Sequence, residues 1–114
     1  MPDWYIPCAY NAAQKHAFHA TGHKRLRALA TALELKPGSF DVRSNPGGIA
    51  VSGEVTLHGN HLYVQICQPA TGADAGILIR VCQGRWDHTH FAPLSCLDNI
   101  PALAERCRSV LAYA

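Results

Sequence analysis

Glu54-Val55-Thr56-Leu57-His58-Gly59-Asn60-His61-Leu62-Tyr63-Val64-Gln65-Ile66-Cys67 alternates apolar with polar residues on both sides of a Gly-Asn pair. That is the pattern of a β-hairpin with one face in a core and one in water. Gly59-Asn60 suits a two-residue turn, because both residue types tolerate positive φ. Such a turn sets His58 opposite His61. It then pairs Leu57 with Leu62, Val55 with Val64 and Gly53 with Ile66 on the dry face. Thr56 with Tyr63, Glu54 with Gln65 and Ser52 with Cys67 fall on the wet face. A slip of one residue would set apolar against polar throughout, so alternation and turn select one register.

Strand signals continue on both sides of the hairpin. Phe40 and Val42 share one side of an earlier strand, and Asn45-Pro46-Gly47-Gly48 reverses the chain with Pro to preset φ and Gly for positive φ. Ile49, Val51, Val55 and Leu57 then carry the dry face of the second strand, Leu62, Val64 and Ile66 the third, and Ile77, Ile79 and Val81 the fourth. Sequential strands joined in this way predict a four-stranded antiparallel meander. Arg85 to Ser95 reads as an irregular connection.

Helical signals flank the sheet. Asn11 is a cap candidate, Phe18, Leu26, Leu29 and Leu33 follow a 3.6-residue period, and Pro37-Gly38 is the expected stop. Thr21-Gly22 is a weak point that allows one helix or two. Near the C-terminus, Asp98 or Asn99 can cap a helix with Pro101 in its first turn, and Ile100, Leu103, Ala104, Cys107, Val110 and Leu111 form its apolar stripe. One dry sheet face and two amphipathic helical segments make a two-layer α+β sandwich. Trp4, Tyr5 and Ile6, lying between prolines, are expected to run extended against the core or the sheet edge.

The chain of 114 residues suits one domain, 1–114, and 48% apolar with 16% charged residues describes a folded globule. A net charge of +2 neither requires nor excludes a nucleic-acid partner. No stretch is long and apolar enough to span a bilayer, and Pro2, Asp3 and Pro7 interrupt any secretory pattern. Five cysteines without a C-x-x-C pair point to reduced, mostly buried thiols and a cytoplasmic location.

Two histidine clusters stand out. His16, His19 and His23 share one flank of an unbroken helix, but they lack acidic or thiol companions and the Glu of a zinc-protease helix. Asp87-His88-Thr89-His90 places His88 and His90 on one side of an extended segment, again without a third ligand. Cys96 and His90 can be written as a nucleophile and base, though no motif joins them. These patterns assign no catalytic residue, metal or cofactor. The wet face is the remaining surface. It displays Arg43, Ser52, Glu54, Thr56, His58, His61, Tyr63, Gln65, Cys67, Leu78, Arg80 and Cys82, with Tyr63 as its one phenolic or phenyl ring. Lys24, Arg25 and Arg27 form a short basic run on the first helix.

Trp4-Tyr5-Ile6-Pro7-Cys8, the run from Arg43 to Glu54, and Gly76-Ile77-Leu78-Ile79-Arg80 resemble segments of small uncharacterised proteins of bacterial mobile genetic elements, including plasmids and phages. The resemblance spans nearly the whole chain and brings no catalytic residues with it. It implies a compact protein that binds a host or rival component, as anti-CRISPR proteins do. The resulting expectation is a non-enzymatic binding protein that meets a protein partner through Arg43, Glu54, Tyr63, Gln65 and Arg80. Two alternatives are nucleic-acid binding through the basic helix and the sheet, and a small metal-dependent enzyme using the histidines.

Overall fold

A computed structural model of the chain describes Trp4 and residues 11–48, 51–68, 75–83 and 86–112, with the side chains of 82, 83 and 86–88 excepted. Helix α1 (Ala12–Ala32) leads into strands β1 (Asp41–Asn45), β2 (Glu54–His58), β3 (Leu62–Cys67), β4 (Ile77–Gln83) and β5 (Trp86–Ala92). A 3-10 turn, Leu94–Asp98, and helix α2 (Ile100–Ala112) complete the order. The sheet is an antiparallel meander, β1-β2-β3-β4-β5. Both helices pack on the same layer, α1 against β1 and β2 and α2 against β4, and they touch each other. The α+β sandwich stands, with five strands in place of four.

The additional strand is the segment expected to be irregular. Gln83 pairs with Trp86 and the ladder continues to Ile77 with Ala92. At a sheet edge only part of a strand faces the core: Ala92 is buried, whereas His90 and Phe91 are exposed. Apolar alternation is therefore weak there, although Trp, Thr and Phe are strand formers.

The central hairpin also differs from expectation. His58 pairs with Tyr63, Leu57 with Val64, Thr56 with Gln65, Val55 with Ile66 and Glu54 with Cys67, so Leu57 and Leu62 are not partners. A two-residue hairpin turn of the Asn-Gly class needs positive φ, and neither Gly59 nor Asn60 has it. Instead the Gly59 N–H donates to the Leu62 carbonyl at 2.7 Å, closing a longer connection over 59–62. The slide amounts to two residues along β3. Strand side chains alternate with period two, so every residue keeps its face. The new register sets Val55 rather than Gly53 against Ile66.

Val42, Val55, Leu57, Leu62, Val64, Ile66, Ile77, Ile79 and Val81 fill the dry face. Val51 lies before β2 and is 50% exposed, and Ile49 is outside the described residues. From the helices come Phe18, Leu26, Leu29, Leu103, Ala104, Cys107 and Val110. Trp4 meets Phe18 edge to face at 5.5 Å and donates its indole N–H to Asp98 at 3.2 Å; Tyr5 and Ile6 lie outside the described residues.

Helix α1 is a single 21-residue helix through Gly22. Gly22 is buried where the helix crosses the sheet, and a Cβ there would lie 2.6 Å from Ile66 Cδ1. The missing side chain is what lets α1 approach β2 and β3 closely. Asn11 caps α1 by accepting the Gln14 N–H at 3.0 Å, as its residue type predicts. The helix stops before Pro37. Leu35 N–H bonds the Ala30 carbonyl, Glu34 N–H bonds the Thr31 carbonyl, and Glu34 takes φ 59, a Schellman ending built on a non-glycine residue. At α2, Asn99 and not Asp98 is the cap, accepting the Ala102 N–H at 3.3 Å.

Candidate functional site

Because the helices cover one layer only, the other face of the sheet is left open among the described residues. Strand pairing arranges it as two rows. One runs Asp41, His58, Tyr63, Arg80 and Thr89; the next runs Arg43, Thr56, Gln65, Leu78 and Phe91. Glu54 and Cys67, paired with each other, lie beyond the second row. Arg43, Glu54, Tyr63, Gln65 and Arg80, the five residues singled out from sequence, thus share one surface. Ser52 and Thr56 are buried, at 7% and 6% exposure, and do not contribute as expected.

Hydrogen bonds tie the rows together. Arg43 Nε donates to Asp41 Oδ2 at 2.7 Å, Tyr63 Oη donates to Gln65 Oε1 at 2.9 Å, and Thr56 Oγ1 lies 2.9 Å from His58 Nε2. Within the first row Arg80 Nε is 3.4 Å from Thr89 Oγ1, its guanidinium carbon sits 6.0 Å from the Tyr63 ring centre, and the His58 ring meets Tyr63 edge to face at 5.1 Å. Tyr63 is therefore held by neighbours on several sides. Cross-strand aromatic and cation–π contacts of this kind are worth roughly 0.2–1 kcal/mol each, enough to restrict side-chain rotamers before any partner arrives.

The hydrogen bond from Arg43 holds the Asp41 carboxyl below its ordinary range. Partial burial, reinforced by the charge of Glu54, pushes the Tyr63 hydroxyl up, so it remains a donor to Gln65. Burial likewise raises the Cys67 thiol. The described side chains of the face carry two carboxylates, Asp41 and Glu54, against two guanidiniums, Arg43 and Arg80. Among these described side chains the charge is balanced.

Phe91 was hidden by the irregular reading of 85–95. It stands 58% exposed on β5 next to half-buried Leu78, so the face has a second ring and an apolar end. The aromatic and β-branched content of Trp86–Ala92 was the available signal.

The histidines do not converge as a metal centre. His19 Nε2 lies 2.7 Å from the Ser52 carbonyl and His23 Nε2 3.2 Å from the Val42 carbonyl. A carbonyl only accepts, so both Nε2 atoms carry the hydrogen and Nδ1 is the one nitrogen each ring could offer a metal. Among the described residues no group of three His, Cys, Asp or Glu side chains could hold a metal ion. His90 is exposed opposite Ile79, and the His88 side chain is outside the described set. Cys96 Sγ faces Arg106 Nη1 at 3.7 Å, and among the described residues no hydrogen bond joins it to His90. Among the same residues no helix is long and apolar enough to cross a membrane.

Comparison with protein-family models, with curated proteins and with solved structures finds no match to this chain.

Proposed function

We propose that the chain is a binding protein whose open sheet face docks a protein partner. One observation carries this: exposed Phe91 and adjoining Leu78 form an apolar end beside the Tyr63–Arg80 pair, on a face whose described side chains include both carboxylates and guanidiniums. Tyr and Arg are the residue types most often dominant in interface energy, and rigid side chains lose little entropy on binding. The complementary partner offers an apolar pocket for Phe91 and Leu78, rimmed by hydrogen-bonding groups of both signs. Arg43, Glu54 and Gln65 supply the polar surround on this side.

A nucleic acid fits less well. Base stacking commonly uses two or three open ring faces, whereas here Tyr63 is crowded by Arg80 and His58, Phe91 alone stands well exposed among the described phenyl and phenol rings of the face, and Glu54 repels phosphate. The resemblance to mobile-element proteins makes a host or rival protein, such as a defence component, the partner this reading names.

The test is the Tyr63→Ala/Arg80→Ala double variant against an identified partner. Both side chains are partly buried on the open face and truncation leaves no core cavity, so the variant should stay folded, losing only the contacts to His58, Gln65 and Thr89 at about 0.2–1 kcal/mol each. Loss of one such anchor commonly costs about 2 kcal/mol, roughly thirtyfold in affinity. A folded variant that binds as tightly as the parent would remove the face from the interface. A nucleic-acid partner whose affinity collapses with added salt would replace the reading with the alternative.

A further inference from the structure

On the opposite, helical side of the sheet, an open groove of about 530 Å³ runs between α1 and the end of β1. Lys15, His16, His19 and His23 form its α1 wall, Ser44 and Pro46 face them, and the small side chains of Ala12 and Ala20 leave the space between. The volume lies in the range of small-molecule sites. Among the described residues no Asp or Glu lines it.

The nitrogen inventory decides what such a groove can hold. Lys15 Nζ donates one hydrogen to the Gly48 carbonyl at 2.8 Å, which pins the side chain and leaves two N–H groups. His19 and His23 spend Nε2–H on the Ser52 and Val42 carbonyls, which holds both rings against the sheet. His19 Nδ1 is buried without a hydrogen-bond partner. His16 is exposed and makes no hydrogen bond to the described residues. Among the described residues the groove thus offers one fixed ammonium and an exposed imidazole beside alanine and proline surface. A metal would find no convergent group of three His, Cys, Asp or Glu ligands among the described residues. A phosphate dianion would find one full cation and no guanidinium fork.

We propose that this groove binds a small organic carboxylate, its anionic end on Lys15 Nζ and the His16 ring and its apolar body against Ala20 and Pro46. A charge-assisted hydrogen bond to the ammonium fixes the carboxylate, and the apolar walls select molecules that carry a hydrophobic body. The groove is on the other layer from the open sheet face, so this site stands or falls separately from the partner-docking reading.

The experiment is an amide NMR titration of the full chain with sodium benzoate, hexanoate and indole-3-acetate, each beside its primary amide, and with inorganic phosphate. The expected result is saturable shifts at Lys15, His16 and Ser44 for at least one carboxylate, with a dissociation constant in the millimolar range or tighter, as ligands this small allow. Binding should weaken at least about fivefold for the matching amide and for Lys15→Gln, and Lys15→Arg should restore it. Lys15 and His16 are partly to fully exposed, and unchanged signals elsewhere certify the fold of each variant. Absence of saturation with all three acids overturns the proposal. So does a smaller penalty for the amide or Lys15→Gln, or phosphate binding as tightly as the best carboxylate.

Discussion

Gly22→Ala tests the packing of α1 directly, because two effects of opposite sign meet at one methyl group. In an isolated helix the change stabilises by about 1 kcal/mol. Here the new carbon would lie 2.6 Å from Ile66 Cδ1 and 3.2 Å from Val55 Cγ2, against roughly 3.5–4.0 Å for relaxed carbons. Ile66 and Val55 are fully buried, so any shift that makes room must be taken up within the packed core. Overpacking of this kind costs about 1–3 kcal/mol, and the net change is destabilisation by up to about 2 kcal/mol. A double-mutant cycle separates the two effects. Ile66→Val removes Cδ1 and alone should cost about 0.5–1.5 kcal/mol; in the Gly22→Ala background it should cost at least about 0.5 kcal/mol less, since it also relieves the contact. Urea unfolding of the four proteins supplies the numbers. Stabilisation by the full propensity gain, with strictly additive single changes, would refute the close-approach argument.

Glu34→Gly should raise stability by about 1 kcal/mol in thermal or urea unfolding, because Glu34 occupies the left-handed region at φ 59 where glycine carries no Cβ penalty; a loss would contradict the assigned helix ending. Cys107 gives a pH signature. Burial pushes its thiol up from an ordinary value of 9.0 to about 12. Below 9.0 the thiol is neutral in both states; from there to about 12 only the unfolded chain ionises, so this contribution to stability is lost by on the order of 1.4 kcal/mol per pH unit as pH rises. Cys107→Ala should be less stable at neutral pH and show a shallower alkaline decline, and parallel declines for parent and variant would contradict the burial effect.

Much of the layer architecture was legible because alternation and helical period report directly on burial. Leu62, Val64, Ile66, Ile77, Ile79 and Val81 all face the core as their spacing predicts. The hairpin register was not legible. Gly59-Asn60 permits a tight turn without compelling it, and the chain takes a longer one that brings His58 beside Tyr63 and Val55 opposite Ile66. Facing survived since the slide was even. Strand β5 escaped because only Ala92 is buried among its described side chains, too little to show a clean alternation, and Phe91 was lost with it. Gly22 illustrates the converse: a residue that weakens a helix in isolation is required where backbone meets sheet.

The central claim, that the open sheet face meets a protein, is tested most directly by placing a benzoyl-phenylalanine photo-crosslinker at Phe91 and, separately, at exposed Ser109 on α2. The substitution keeps a phenyl ring at the apolar end of the face. Light should join one protein to the chain from position 91 and not from 109, and excess unlabelled parent chain should compete the adduct away while the Tyr63→Ala/Arg80→Ala variant does not. Equal adducts from both positions, a nucleic-acid adduct from 91, or undiminished competition by the double variant would contradict it.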